Sequence, residues 1–267
     1  MTDKFNQYIH KLIDADPLFR DWWIELGDAR RHKIEHILMG IDEQYLDRPS
    51  GLESKHEWCS LLLGILFRNI EQRELLGYEV PRGWQERIGS QEERDKSLSI
   101  AEHALMPILE LSPVKLVNFY GDIKRGAPHR IIGDDKINLW DMVRFRAVVK
   151  DLFSLSAFSA FIIEMFGDNC VRVRNLYLAP PKSKPDRGYR GIHLLLVLDE
   201  SELIELQVRS EIREYVSWLD HYVYKQAEKA LFTDSEHLWL RTLSLKANLA
   251  ECETFIRDAA NTLHLAG

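Results

Sequence analysis

The chain is poor in cysteine: Cys59, Cys170 and Cys252 are the only three in 267 residues, odd in number, scattered and without C-x-x-C spacing. That excludes a disulfide framework and a zinc knuckle, and it fits a reducing cytoplasm. Long apolar runs are missing as well. Stretches such as HLLLVL at 193–198 are far too short to span a bilayer, and the opening MTDKFNQYIHK lacks the apolar centre of a signal peptide. A soluble, unexported protein with no membrane partner is expected. Positive charge is also short, since 35 Lys and Arg against 42 Asp and Glu leave a net charge of -7. Such a chain does not coat nucleic acid wholesale, although a local basic patch can still gather phosphates. No internal repeat or low-complexity tract is found. What is present, 45% hydrophobic and 29% charged residues, suits one large or two modest globular domains with a real core.

Up to about residue 111 the apolar residues recur at helical spacing: Phe5, Tyr8, Ile9, Leu12 and Ile13, then Ile34, Ile37 and Leu38, then Leu61, Leu62, Ile65 and Leu66. This predicts an all-helical domain over residues 1–111, with the polar, Gly- and Pro-containing stretch 80–96 as a long connection. Within it His32, Glu35 and His36 fit H-x-x-E-H, a zinc-site spacing, but the run DARRHKIEHIL around them reads as an ordinary charged helix. Trp22, Trp23, Trp58 and Trp84 read as helical core or contact surface.

Beyond Pro113 the composition shifts. LWDMVRFRAVV (139–149) is rich in β-branched and aromatic residues, DLFSLSAFSAFIIEMFG (151–167) is amphipathic, and VRVRNLYL (171–178) is strand-like. A Pro- and Lys-rich loop at 179–188 follows, then two strands joined by Asp199, Glu200 and Ser201, the length of a hairpin loop. The expectation is an α+β domain over 112–232 built on a mixed sheet. The tail 233–267 reads as one long helix, with Leu245, Leu249, Cys252, Ile256, Ala259 and Leu263 at alternating spacings of four and three. That seam packs on its own chain or on a partner.

The chemistry-bearing pattern lies in the second hairpin strand. Ile204, Leu206 and Val208 alternate with Glu205, Gln207 and Arg209, so the polar three share one face. An unpartnered buried carboxylate is costly. A phosphate site explains the row: a carboxylate for metal or proton, an amide for orientation, a guanidinium for charge. The competing explanation is the solvated polar face of an edge hairpin. Asp141, ahead of Arg144 and Arg146, supplies a second carboxylate on another strand, and with the basic loop it completes the parts of a Mg²⁺-nucleotide site.

These residues carry a resemblance. GYRGIH (188–193), IELQVRS (204–210) and LDHYVYK (219–225), with DMVRFR (141–146) upstream, resemble the synthetase domain of the RelA/SpoT-type alarmone synthetases over roughly residues 112–230. The family pattern is D-x-x-G-x-R, G-Y-R-(S/G)-x-H, E-x-Q-(I/V)-R-(T/S) and (E/D)-H with Y-K. Arg144 stands where the family has Gly, and Val216 where a Trp is common. The resemblance implies a nucleotidyltransferase-like sheet that moves pyrophosphate from ATP to the 3′-hydroxyl of GDP or GTP, with Mg²⁺ as cofactor. Asp141 and Glu205 would be the catalytic and metal-binding carboxylates. Arg146, Lys124, Arg125 and Arg130 would bind ATP. Tyr189 would stack on the acceptor base, and Arg190, His193, Lys182, Lys184 and Arg187 would hold the acceptor, with Gln207, Arg209, His221 and Lys225 in support. The hydrolase of longer relatives uses a His-Asp dipeptide, which does not occur in this sequence, so synthesis without degradation is expected. Some relatives are toxic synthetases that pyrophosphorylate the 3′ end of tRNA, and a nucleotide-sensing module is a third reading. A homo-oligomer or a protein partner, through the N-terminal helices or the C-terminal helix, stays open.

Overall fold

The computed structural model describes residues 63–64, 66–73, 90–123, 142–178, 190–198, 202–215, 217 and 247–254, with isolated positions between 10 and 28. The chain divides into two compact units, one of 1–62, 181–189 and 212–267, the other of 63–180 and 190–211. The boundary expected between residues 111 and 112 therefore falls inside the second unit.

Among its described residues that unit has five strands and two α-helices: α1 (Gln91–Glu110), β1 (Leu116–Ile123), β2 (Val143–Val149), α2 (Leu152–Phe166), β3 (Cys170–Asn175), β4 (Ile192–Leu198) and β5 (Glu202–Ser210). The sheet order is β1-β2-β5-β4-β3. Only the β2–β5 pair is parallel, the other three being antiparallel. The expected mixed α+β architecture is present here. Of the helical domain expected over residues 1–111, residues 63–64, 66–73 and 90–111, with α1, are described; the H-x-x-E-H motif and the four Trp residues lie outside the described residues.

Local sequence explains most of these elements. In β2, Val143, Phe145 and Ala147 are buried with the apolar face, while Arg144 and Arg146 alternate onto the other. Helix α2 starts where the Asp151 carboxylate accepts the Ser154 N–H at 2.8 Å, and it stops at Gly167, whose φ of +51° suits glycine. β4 reads as a nearly unbroken apolar run because it is an interior strand, buried along its whole length.

Two elements differ from the sequence expectation. Helix α1 begins inside the stretch assigned to a connection. Ser90 caps it by accepting the Glu93 N–H at 3.1 Å, and Arg94 of the charged-looking QEERDK is buried in line with Ser97, Ala101 and Leu105. Strand β1 was not foreseen. Gly121 lets α1 approach it, since a Cβ there would stand 2.6 Å from the Leu98 side chain. In the other unit, residues 247–254 are helical, with Ala247, Leu249 and Cys252 buried. Glu251 accepts from Arg213 Nε at 2.9 Å, so this part of the seam packs on its own chain. The remainder of the long C-terminal helix lies outside the described residues.

Candidate active site

Strand β5 is central, and that decides between the two explanations of its polar row. Glu205, Gln207 and Arg209 are 4%, 5% and 2% exposed, which overturns the solvated edge-hairpin alternative. Register puts their neighbours on the same face: Arg144 beside Glu205 and Arg146 beside Gln207 on β2, His193 beside Gln207 on β4. Further out, Asp122 and Tyr120 of β1 pair with Arg144 and Arg146, and Arg174 of β3 pairs with His193. One face of the sheet is thus a polar band running across all five strands, opposite a face of Val, Ile, Leu and Phe.

The band is wired. Gln207 donates Nε2–H to Glu205 Oε2 at 2.7 Å, and Arg209 donates to Gln207 Oε1 at 2.8 Å. His193 Nδ1 lies 3.2 Å from Glu205 Oε1, and Arg172 Nη2 lies 3.9 Å from that oxygen. Arg146 donates to the Tyr120 hydroxyl at 2.9 Å and lies over its ring, 5.6 Å from the centroid. Arg144, which stands where the resembled family has glycine, donates to Asp122.

Burial pushes the Glu205 carboxyl up, but His193, the Gln207 amide and the Arg172 guanidinium outweigh it and bring the group from 4.5 down to about 2. Burial pushes His193 down from 6.5, helped by Arg209 and Arg174 against the pull of Glu205. At neutral pH an ionised Glu205 therefore faces a neutral His193, whose Nδ1 must carry the proton for the contact to be a hydrogen bond.

This has a measurable consequence. A carboxyl held below its ordinary 4.5 contributes stability that is fully present above pH 4.5 and fades as pH falls toward about 2. His193 acts in the same direction, its contribution fading as pH drops below 6.5. Urea midpoints measured across pH should fall steeply below pH 4.5, and Glu205→Gln should flatten that fall. An equally steep fall in the variant would show that Glu205 is not the group responsible.

Of the residues picked from the sequence, the structure brings Glu205, Gln207, Arg209, His193 and Arg146 onto one face, and Arg190 is buried two residues ahead of β4. Asp141, Lys124, Arg125, Arg130, Lys182, Lys184, Arg187, Tyr189, His221 and Lys225 lie outside the described residues. Sequence reading missed Arg172, Tyr120 and Asp122. The V-R-V-R alternation at 171–174 was a usable signal for Arg172; Tyr120 and Asp122 gave none once β1 went unrecognised. Among the described residues no group of three His, Cys, Asp or Glu could hold a metal, and no helix is long and apolar enough to cross a membrane. Glu205 still fits Mg²⁺, which takes one or two ionised carboxylates and completes its shell with phosphate oxygens and water.

No protein-family model matches the chain, and no curated protein does. Solved structures similar to it include the small alarmone synthetase 2 of Bacillus subtilis, at 14% identity over 70% of this chain and 100% of that one, TM-score 0.46. The small alarmone synthetase 1 of the same organism, bound to its product pppGpp, is 18% identical over 63% of this chain and 94% of that one, TM-score 0.46. A GTP pyrophosphokinase family protein of Streptococcus pneumoniae is 16% identical over 65% and 95%, TM-score 0.47. At such identities and scores these likenesses carry no weight for the chemistry, which rests on the residues of the site.

Proposed function

We propose that this protein transfers pyrophosphate from ATP to the 3′-hydroxyl of a guanine nucleotide, GDP or GTP. What supports the reading is one observation: Arg146, about 50 residues upstream of the β4–β5 hairpin, is a register neighbour of His193 and the Glu205-Gln207-Arg209 row of that hairpin on one polar face. Nothing in folding alone calls for a buried band this rich in guanidinium groups, whereas a polyphosphate substrate does.

In the reaction the acceptor oxygen bonds to the β-phosphorus of ATP, the bond from that phosphorus to the α-phosphate bridging oxygen breaks, and AMP leaves. Glu205 accepts the hydrogen bond of the attacking hydroxyl and orients it. A carboxylate this acidic is a weak base, but phosphoryl transfer through a loose transition state needs the proton removed only late. His193 and Gln207 fix the carboxylate, and Arg209 fixes Gln207. Arg146, hydrogen-bonded to the Tyr120 hydroxyl, would offer its planar cation to the adenine. Mg²⁺, held by Asp141 and Glu205, would supply charge stabilisation on the phosphates.

The decisive experiment incubates the protein with Mg²⁺ and ATP labelled at the β or γ phosphate, offering GDP, GTP, ADP or bulk tRNA separately. Label is expected on GDP or GTP. Label on tRNA alone would establish the toxic-synthetase alternative, and label on none would leave a nucleotide sensor. Within the leading reading, Tyr189→Ala should raise the acceptor KM roughly tenfold, the value of one lost base stack, with the ATP KM little changed. An unchanged acceptor KM would remove Tyr189 from that role.

A further inference from the structure

Arg172, which lies near Glu205, is the last residue of β3 in regular register before an irregularity. From Asn175 to Arg172 the pairing with β4 is regular, Asn175 with Ile192 and Arg172 with Leu195. Continued in step, Cys170 would pair with Val197. It pairs instead with Leu196, so the strand holds one extra residue at Val171. The bulge turns Cys170 to the face of Leu196 and Ile204, where it is fully buried, and leaves Arg172 on the face of Leu195 and Glu205.

The bulge is held from outside the sheet. Arg73, about 100 residues earlier, lies along the outer edge of β3. Its N–H donates to Val173 O at 3.1 Å and its carbonyl accepts from Val173 N–H at 2.9 Å. Its guanidinium Nη1 donates to Cys170 O at 2.8 Å and to Gly167 O at 3.0 Å. Those two carbonyls are the bulge itself and the turn that ends α2. Neighbouring contacts seat the segment: Gln72 donates to Asn175 O at 2.7 Å, Asn175 to Ile70 O at 3.2 Å, and Phe67 stacks on Tyr177 at 4.6 Å.

We propose that Arg73 is a positioning residue for the active site: bonded to Val173 on one side of Arg172 and to the Cys170 carbonyl on the other, it fixes the β3 backbone that sets the Arg172 guanidinium against Glu205. The inference rests on the pyrophosphotransfer reading for its kinetics and on geometry alone for its structure. Misplacing a charged partner of the catalytic carboxylate by about 1 Å costs on the order of tenfold to a hundredfold in turnover. The contact is to the carboxylate, so its loss is expected to fall on turnover more than on KM.

The test uses the full chain with Arg73→Ala, Arg172→Gln and the double variant. Arg73→Ala should lower kcat roughly tenfold or more, with both KM values within about threefold. In the Arg172→Gln background the same change should lower kcat less than about twofold further, because the residue it acts through is gone. Costs that multiply would overturn the proposal in favour of a general folding role. An arm independent of activity follows the Arg172 Nε–Hε cross-peak by NMR in nucleotide-free protein, assigned by its loss in Arg172→Lys. It should move in Arg73→Ala, and an unmoved peak would also overturn the proposal. If the parent protein transfers nothing, the functional reading fails while the NMR arm still decides the role of Arg73. Should Arg73→Ala not fold, Arg73→Lys serves for every readout, since an ammonium keeps the charge but cannot span both carbonyls as the planar fork does.

Discussion

Glu205→Gln is expected to lower the rate of pyrophosphate transfer by about two to four orders of magnitude while leaving a folded protein. The substitution keeps the shape of the side chain and removes its charge. It also turns an amide donor toward Gln207 or His193, which now both donate to the carboxylate. Leaving a buried donor without an acceptor costs roughly 1–3 kcal/mol, so the thermal midpoint should fall measurably although the sheet stays intact. Labelled-ATP assays paired with circular dichroism separate the two effects. Near-normal turnover in a folded Glu205→Gln protein would take Glu205 out of the chemistry and leave the buried row as a structural network only.

The second large effect is expected at Asp141, the carboxylate that stands two residues before β2. Asp141→Asn should lower transfer on the order of a hundredfold or more and raise the Mg²⁺ concentration needed for half-maximal rate, because a neutral amide is a poor ligand for a hard cation. Titrating Mg²⁺ in the assay distinguishes this from a folding defect. A defect in folding lowers the plateau without moving the midpoint. An unmoved midpoint with an unchanged plateau would remove Asp141 from the metal site and place the burden on Glu205 alone.

Where the sequence was legible, its signals were local. The alternation in β2 and β5, the Asp151 cap of α2 and the glycine that ends it, and the apolar run of β4 each follow from a period or a terminal residue. Where it misled, a local signal met a tertiary demand. QEERDK is polar enough to pass for a loop, yet its Arg94, like Ser97 just after it, is buried because α1 lies on the sheet. LVNFYGDI has too mixed a pattern to announce a strand, and it becomes one by pairing along β2.

The same division holds at the site. Alternation placed Glu205, Gln207 and Arg209 on one face from sequence alone, because side chains on a strand have a period of two whatever surrounds them. Whether that face met water or protein depended on β2 covering the second edge of β5, and a neighbour about 60 residues away is chosen by packing of whole faces, which no local period encodes. Tertiary structure therefore decided that the row is buried and that His193 and Arg172 hold Glu205 ionised. It also decided that Tyr120 carries Arg146, and that Arg73 grips a bulge about 100 residues further along the chain.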